Sequence, residues 1–185
     1  LLLALDHANV DLHAAVITGA STCPTTEPGW VDGDDPMWRQ RSVLEDGFEG
    51  GSGPRSHVLL DQAASALAQD APGGCLEGFL RPGAALHVIV IAGGPDGSTK
   101  NATEHLAGLS ALAPEAREII ISAVIATESA GCGGVVYGAG YAEAALASGG
   151  EIVDLCVPTW TEGFRDIADR SHAGVDGGLV QADVW

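Results

Sequence analysis

Six histidines, 25 carboxylates, four cysteines and the glycine-rich loop over 93–98 are the parts of this 185-residue chain that can support chemistry. His7, His13, His57, His87, His105 and His172 are scattered, with no H-E-x-x-H or comparable pair to grip zinc. His13 and His87 fall inside apolar runs, which predicts packed side chains rather than ligands. No G-x-S-x-G turn presents a nucleophile, and Ser52 within Gly51-Ser52-Gly53 reads as loop. The acid pairs Asp34-Asp35 and Glu45-Asp46 read as solvated. Asp32-Gly33-Asp34-Asp35 gathers oxygens as a calcium loop does, but the glutamate that completes such a loop at the twelfth position is missing.

The stretch Gly93-Gly94-Pro95-Asp96-Gly97-Ser98 has a different potential, because clustered glycines let backbone N–H groups approach an anion. It matches neither the dinucleotide nor the Walker spacing. A nucleotide- or phosphate-using α/β enzyme, with residues 93–98 as the cradle, is therefore the competing reading to a binding module. A structural domain that binds nothing is a third.

Charge narrows the partners. Eight basic residues against 25 acidic ones give a formal charge of -17, a field that repels phosphate backbones and anionic lipid. Nucleic acid is excluded as a natural partner; a cation or a basic ligand is compatible, and so is plain solubility. No apolar run approaches the ~18 residues of a spanning helix. Leu1 to Leu5 is too short for a signal peptide and reads as the end of a helix, so the chain is taken as a fragment of a longer protein.

Cys23, Cys75, Cys132 and Cys156 form no CxxC pair, which disfavours a zinc ribbon and favours two disulfides in an oxidising compartment. Four cysteines allow three pairings. The expected location is secreted, periplasmic or at the cell surface, with any lipid anchor lying outside these residues.

The elements that must position these groups follow from periodicity. Residues 11–18 form a short apolar run closed by Gly19, as in a buried strand, and a long irregular stretch covers 19–55. Residues 56–69 place Val58, Leu59, Ala63, Ala66 and Leu67 at helical spacing, with Ser56 available as a cap. Residues 86–92 and 118–127 are nearly continuous β-branched runs, the mark of strands buried on both faces, and 151–156 is a third strand. Helices are predicted from Asn101 or Thr103 to Leu112, from Gly140 to Ala147 with Gly149-Gly150 ending it, and over 159–171. This alternation predicts a mostly parallel sheet with helices on both faces, and an irregular tail over 173–185. In such sheets ligands sit outside the strands' carboxyl ends, which directs attention to the loops after Thr18, Ala92 and Thr127.

Several phrases carry a resemblance: residues 11–18, the Gly50-Gly51-Ser52-Gly53 approach to the first helix, Gly78-Phe79-Leu80-Arg81-Pro82-Gly83 leading into the next strand, and Tyr141 to Gly150 leading into 151–156. Over most of residues 1–171 the chain resembles the von Willebrand factor A (VWA) family, in the disulfide-bearing form of bacterial surface proteins and lipoproteins. The resemblance implies a three-layer, Rossmann-like sandwich over 1–172 that acts as an adhesion or protein-interaction module. Family members hold Mg²⁺ or another divalent ion above the sheet through a D-x-S-x-S motif, a second-loop threonine and an aspartate after the central strand. The first strand and its motif would precede Leu1, and Gly93 stands where the aspartate belongs. The resemblance thus implies a degenerate site for Mg²⁺ or Ca²⁺ with Asp96 and Ser52 as remaining ligands, Ser56 as an alternative hydroxyl, and Gly93, Gly94 and Ser98 completing the binding loop. It also implies the pairing Cys132 with Cys156, leaving Cys23 with Cys75.

Overall fold

The computed structural model describes residues 13–17, 22–24, 30–36, 39–40, 42, 58–128, 131–172 and 183–184. Its centre is the pair of apolar runs, folded as β3 (Leu86–Ile91) and β4 (Ile119–Ile125). They pair in parallel from Leu86 opposite Ile119 to Ile91 opposite Val124. β5 (Ile152–Asp154) continues the parallel sheet on the far side of β4, with Ala123 opposite Ile152. The sheet reads β5-β4-β3-β6, where β6 is Asp183–Val184.

Burial on both faces is why these strands are so rich in Val and Ile. Leu86, Val88 and Val90 face a core shared with helices α1 (Leu59–Leu67), α2 (Ala102–Leu112) and α3 (Tyr141–Ser148). Ile89, Val124 and Val153 face the opposite side, where Ile167 of α4 (Thr161–His172) covers them. Mixed α/β architecture with a parallel sheet, β3-β4-β5, and helices is thus observed.

A polar bolt crosses the α4 side. His87, fully buried on β3, reaches Ser171 Oγ of α4 through Nδ1 at 2.6 Å and Ser122 Oγ of β4 through Nε2 at 2.8 Å. Ser171 donates its own proton to Ile167 C=O, and Ser122 accepts from Glu151 N–H. These partners fit a neutral ring in which Nδ1–H donates to Ser171 and Ser122 donates to Nε2. Burial, with the Arg170 guanidinium nearby, pushes the pKa of His87 down to about 3.

Of the predicted strand over 11–18, residues 13–17 are described, and they are buried but only partly laddered. Ala15 and Ile17 enter one core and Val16 the other, as alternation requires, yet only β1 (His13–Ala14) pairs, antiparallel with β2 (Val31–Asp32). Burial follows from apolar composition, whereas a ladder needs a partner edge that composition does not identify. His13 is a packed side chain as expected: its Nδ1 lies 2.7 Å from Phe79 C=O and its ring stacks on Trp30 at 4.1 Å. Of the tail over 173–185 only residues 183–184 are described. Asp183–Val184 pairs in parallel with Val88 and Ile89, taking the open edge of β3.

Smaller differences have local causes. α1 starts at Leu59 after Val58, with no side-chain cap; Ser56, the expected cap, lies outside the described residues. Its buried stripe is Leu60, Ala63, Ala66 and Leu67, so Leu60 replaces Val58. Gly149 ends α3 with φ of 70°, the left-handed conformation foreseen for it. The disulfides are Cys23–Cys75 and Cys132–Cys156, the pairing the resemblance implied.

Asp32 to Asp35 forms a turn that uses its carboxylates internally. Asp32 Oδ1 accepts from Asp34 N–H and Asp35 N–H, Asp35 Oδ2 accepts from Asp32 N–H, and Asp35 pairs with Arg39. These oxygens satisfy backbone donors, the ordinary work of aspartate in a turn.

Candidate functional site

The loops leaving β3, β4 and β5 at their carboxyl ends are fastened to one another. Val136 N–H donates to Gly93 C=O at 3.1 Å and Asp96 N–H to Ala139 C=O at 2.8 Å, which stitches the β4 loop along the β3 loop. Tyr137 bridges Ala126, and Gly138 N–H donates to Ala126 C=O. On the other flank Leu155 N–H donates to Ile125 C=O at 2.7 Å, and the Cys132–Cys156 disulfide ties the β4 loop to the β5 loop.

Beneath this surface lies Asp96. Its Oδ2 accepts from Ser98 Oγ–H at 2.6 Å and sits 2.9 Å from His105 Nε2; both the Asp96 and His105 side chains are 3% exposed. The Tyr141 phenol, at the start of α3, also hydrogen-bonds Asp96 and accepts from Leu59 N–H at 3.1 Å. Burial, together with the Asp96 charge, pushes that phenol up to about 12. Gly140 allows the approach. Its φ is 85°, and a Cβ there would stand 2.6 Å from Asp96 Cβ.

α2 delivers the histidine. Asn101 caps the helix, accepting from Glu104 N–H at 3.1 Å while the Glu104 carboxylate accepts from Asn101 N–H at 2.8 Å. This capping box fixes the first turn, so His105 points back at the β3 loop. On its other side Nδ1 lies 3.8 Å from Asp61 Oδ1, and that carboxylate holds Lys100 Nζ at 2.7 Å.

Ser98, His105 and Asp96 have the residue types of a hydrolytic triad but not its wiring. A relay needs serine on one ring nitrogen and the carboxylate on the other. Here Ser98 Oγ and Asp96 Oδ2 share Nε2, at 3.0 and 2.9 Å, and Ser98 donates its proton directly to Asp96. These contacts tie the loop together; the carboxylate on the other ring nitrogen of His105 is Asp61, at 3.8 Å.

The same wiring bears on the metal and phosphate readings. Asp96 directs its carboxylate inward, Gly93 is exposed and Gly94 buried beside it, and among the described residues no three His, Cys, Asp or Glu side chains are placed to hold a metal ion together. Ser52 and Ser56 lie outside the described residues. The described groups therefore do not fit a divalent-ion site. In the glycine-rich loop, the N–H groups of Asp96, Ser98 and Lys100 are turned to Ala139 C=O, Asp96 Oδ1 and Ser98 Oγ, so these three donors do not converge on one anion.

Of the predicted binding residues, the structure brings Asp96, Ser98, Gly93 and Gly94 together. The sequence reading missed His105, Tyr141, Asp61 and Lys100 around them. It also missed a surface feature. Val136, Tyr137, Val157 and Trp160 are exposed at 49%, 36%, 40% and 38%, four of the five exposed large apolar side chains among the described residues. All four sit on the loops that the Cys132–Cys156 disulfide joins. The signal was present in Val135-Val136-Tyr137, apolar residues set inside a glycine-rich loop. Comparison with family models, with curated proteins and with solved structures finds no match to this chain.

Proposed function

We propose that the chain is an extracytoplasmic protein-interaction module of the VWA-like, three-layer type, engaging a partner protein with the loops at the carboxyl ends of β3, β4 and β5. The observation that carries this reading is the grouping of Val136, Tyr137, Val157 and Trp160 on two cross-linked loops. Single exposed apolar residues are ordinary, but contiguous apolar surface marks an interaction site, and the disulfide brings the two loops carrying these residues to 5.7 Å between Cα atoms. Tyrosine and tryptophan are also the residue types that dominate binding energy at protein interfaces. The disulfide and the buried Asp96 cluster hold the loops in place beforehand, which reduces the entropy lost on binding.

Two disulfides are compatible with an oxidising compartment. Among the described residues no helix is long and apolar enough to cross a membrane. In this reading the contact is apolar and aromatic, and any divalent ion at Asp96 and Ser52 is secondary to it.

The test is site-specific photo-crosslinking of the full-length protein in its producing cells, with the reactive group at position 137 or 160 and, as control, at Leu146, the 71%-exposed residue of α3. A discrete protein adduct at 137 and 160 but not at 146 is the expected result. Absence of an adduct at the two loop positions, or equal adducts at all three, overturns the reading in favour of a structural domain.

A further inference from the structure

Resting on that reading, we infer that the partner segment is cationic as well as apolar, an arginine- or lysine-bearing stretch of polypeptide. Residues 126–140 and 155–160 contain no Lys or Arg, while Glu128, Asp154 and Glu162 stand within or beside them. Glu128 and Glu162 are exposed; Asp154 is half-buried and caps Cys156 N–H. Lys100, the one basic residue in the loop after β3, is bonded to Asp61, and Arg165 lies beyond Glu162 on α4.

The surface is therefore an aromatic and aliphatic patch with an acidic rim, on a chain of net charge -17. Tyr137 flanks Ala126 on one side of the β4 end and Leu155 lies along the other, so these two residues are two strand spacings apart, about 10 Å, while the Cys132–Cys156 disulfide draws the loops to 5.7 Å between Cα atoms. A segment of a few residues spans that distance. Its apolar side chains cover the patch, its cations meet the rim, and arginine gains further by stacking on Trp160 or Tyr137. This polarity is opposite to that of a metal-bridged site, which selects a carboxylate.

Three synthetic peptides of equal length test it: alternating Arg and Leu, alternating Glu and Leu, and alternating Arg and Gly. Each is titrated into the full oxidised chain and followed by amide NMR shifts and calorimetry at several salt concentrations. The Arg/Leu peptide should bind at least about ten-fold more tightly than either control, with shifts concentrated in 126–138 and 154–162. Replacing both Tyr137→Ala and Trp160→Ala should weaken it about ten-fold or more, whereas Glu128→Gln with Glu162→Gln should flatten its salt dependence. The latter pair is exposed and tests the charge claim even if the former impairs folding.

If the Glu/Leu peptide binds these loops as well or better, the cationic assignment falls while the interaction face stands. If Arg/Leu and Arg/Gly bind equally, or the shifts scatter over the surface, only the general acidic field is at work and the inference fails. If no peptide reaches the loops, the cationic inference is overturned, and the crosslinking experiment decides the face separately.

Discussion

Replacing His87 by leucine should change how stability depends on pH as well as lower stability at neutral pH. The ring is fully buried between Ser122 and Ser171 and its pKa is lowered from 6.5 to about 3, chiefly by burial. In the unfolded chain the imidazole protonates as pH falls through 6.5, while in the folded chain it stays neutral until about 3. The unfolded state thus takes up the proton first. Stability falls with pH across that window and is unaffected by this group above it. Each pH unit inside the window costs on the order of 1.4 kcal/mol, so moving from pH 6.5 to 5 removes roughly 2 kcal/mol through His87 alone. His87→Leu loses two buried hydrogen bonds, about 1 to 3 kcal/mol at pH 7.5, but also loses the titration. The 25 carboxylates titrate in both proteins and largely cancel in the difference. Urea unfolding with the disulfides intact, at about pH 7.5, 6.5 and 5, gives that difference directly. The gap between wild type and variant should close by roughly 2 kcal/mol on acidification. A gap that stays constant would refute both the neutral tautomer and the hydrogen-bond accounting that assigns it.

Other expectations follow from the loop architecture. Gly140→Ala forces a Cβ to within 2.6 Å of Asp96 Cβ at a positive φ, and should cost about 1 to 3 kcal/mol, read as a lowered Tm. Removing the Cys132–Cys156 bridge as paired alanines opens a 24-residue separation; chain entropy puts the loss at about 3 kcal/mol, measurable by the same unfolding assay. Tyr141→Phe deprives Leu59 N–H of its acceptor and Asp96 of a donor, a loss of about 1 to 2 kcal/mol. It should leave the tyrosinate absorbance of the folded protein unchanged up to about pH 11, because the Tyr141 phenol ionises near 12. A panel of nucleotides and phosphate, with and without Mg²⁺, should produce no shift in Tm; a large shift with nucleotide would restore the enzyme reading.

Legibility from sequence tracked how locally each feature is determined. β3 and β4 were readable because burial on both faces writes itself into composition as Leu-His-Val-Ile-Val-Ile and Ile-Ile-Ile-Ser-Ala-Val-Ile. Gly149 was readable because a helix end needs a left-handed residue. β6 was not, since Asp183–Val184 is a strand only by virtue of the β3 edge it meets. The Asp96 cluster was half readable. The glycine-rich loop pointed to Asp96 and Ser98, but His105 and Tyr141 join them through the packing of α2 and α3, which no spacing along the chain encodes.

That division also explains why Asp96 attracts notice for one reason and matters for another. A carboxylate at the carboxyl end of a central strand suggests a ligand-binding group. Once it is surrounded by Ser98, His105 and Tyr141 it has no face left for a ligand, and its effect is to hold residues 93–100 against residues 136–140. A polar cluster of this kind favours a single loop arrangement because every alternative strands a buried carboxylate or ring nitrogen without a partner. The apolar side chains above it can then stay exposed in a fixed arrangement instead of collapsing onto the core. Loss of the cluster should consequently loosen these loops and so weaken the proposed partner contact.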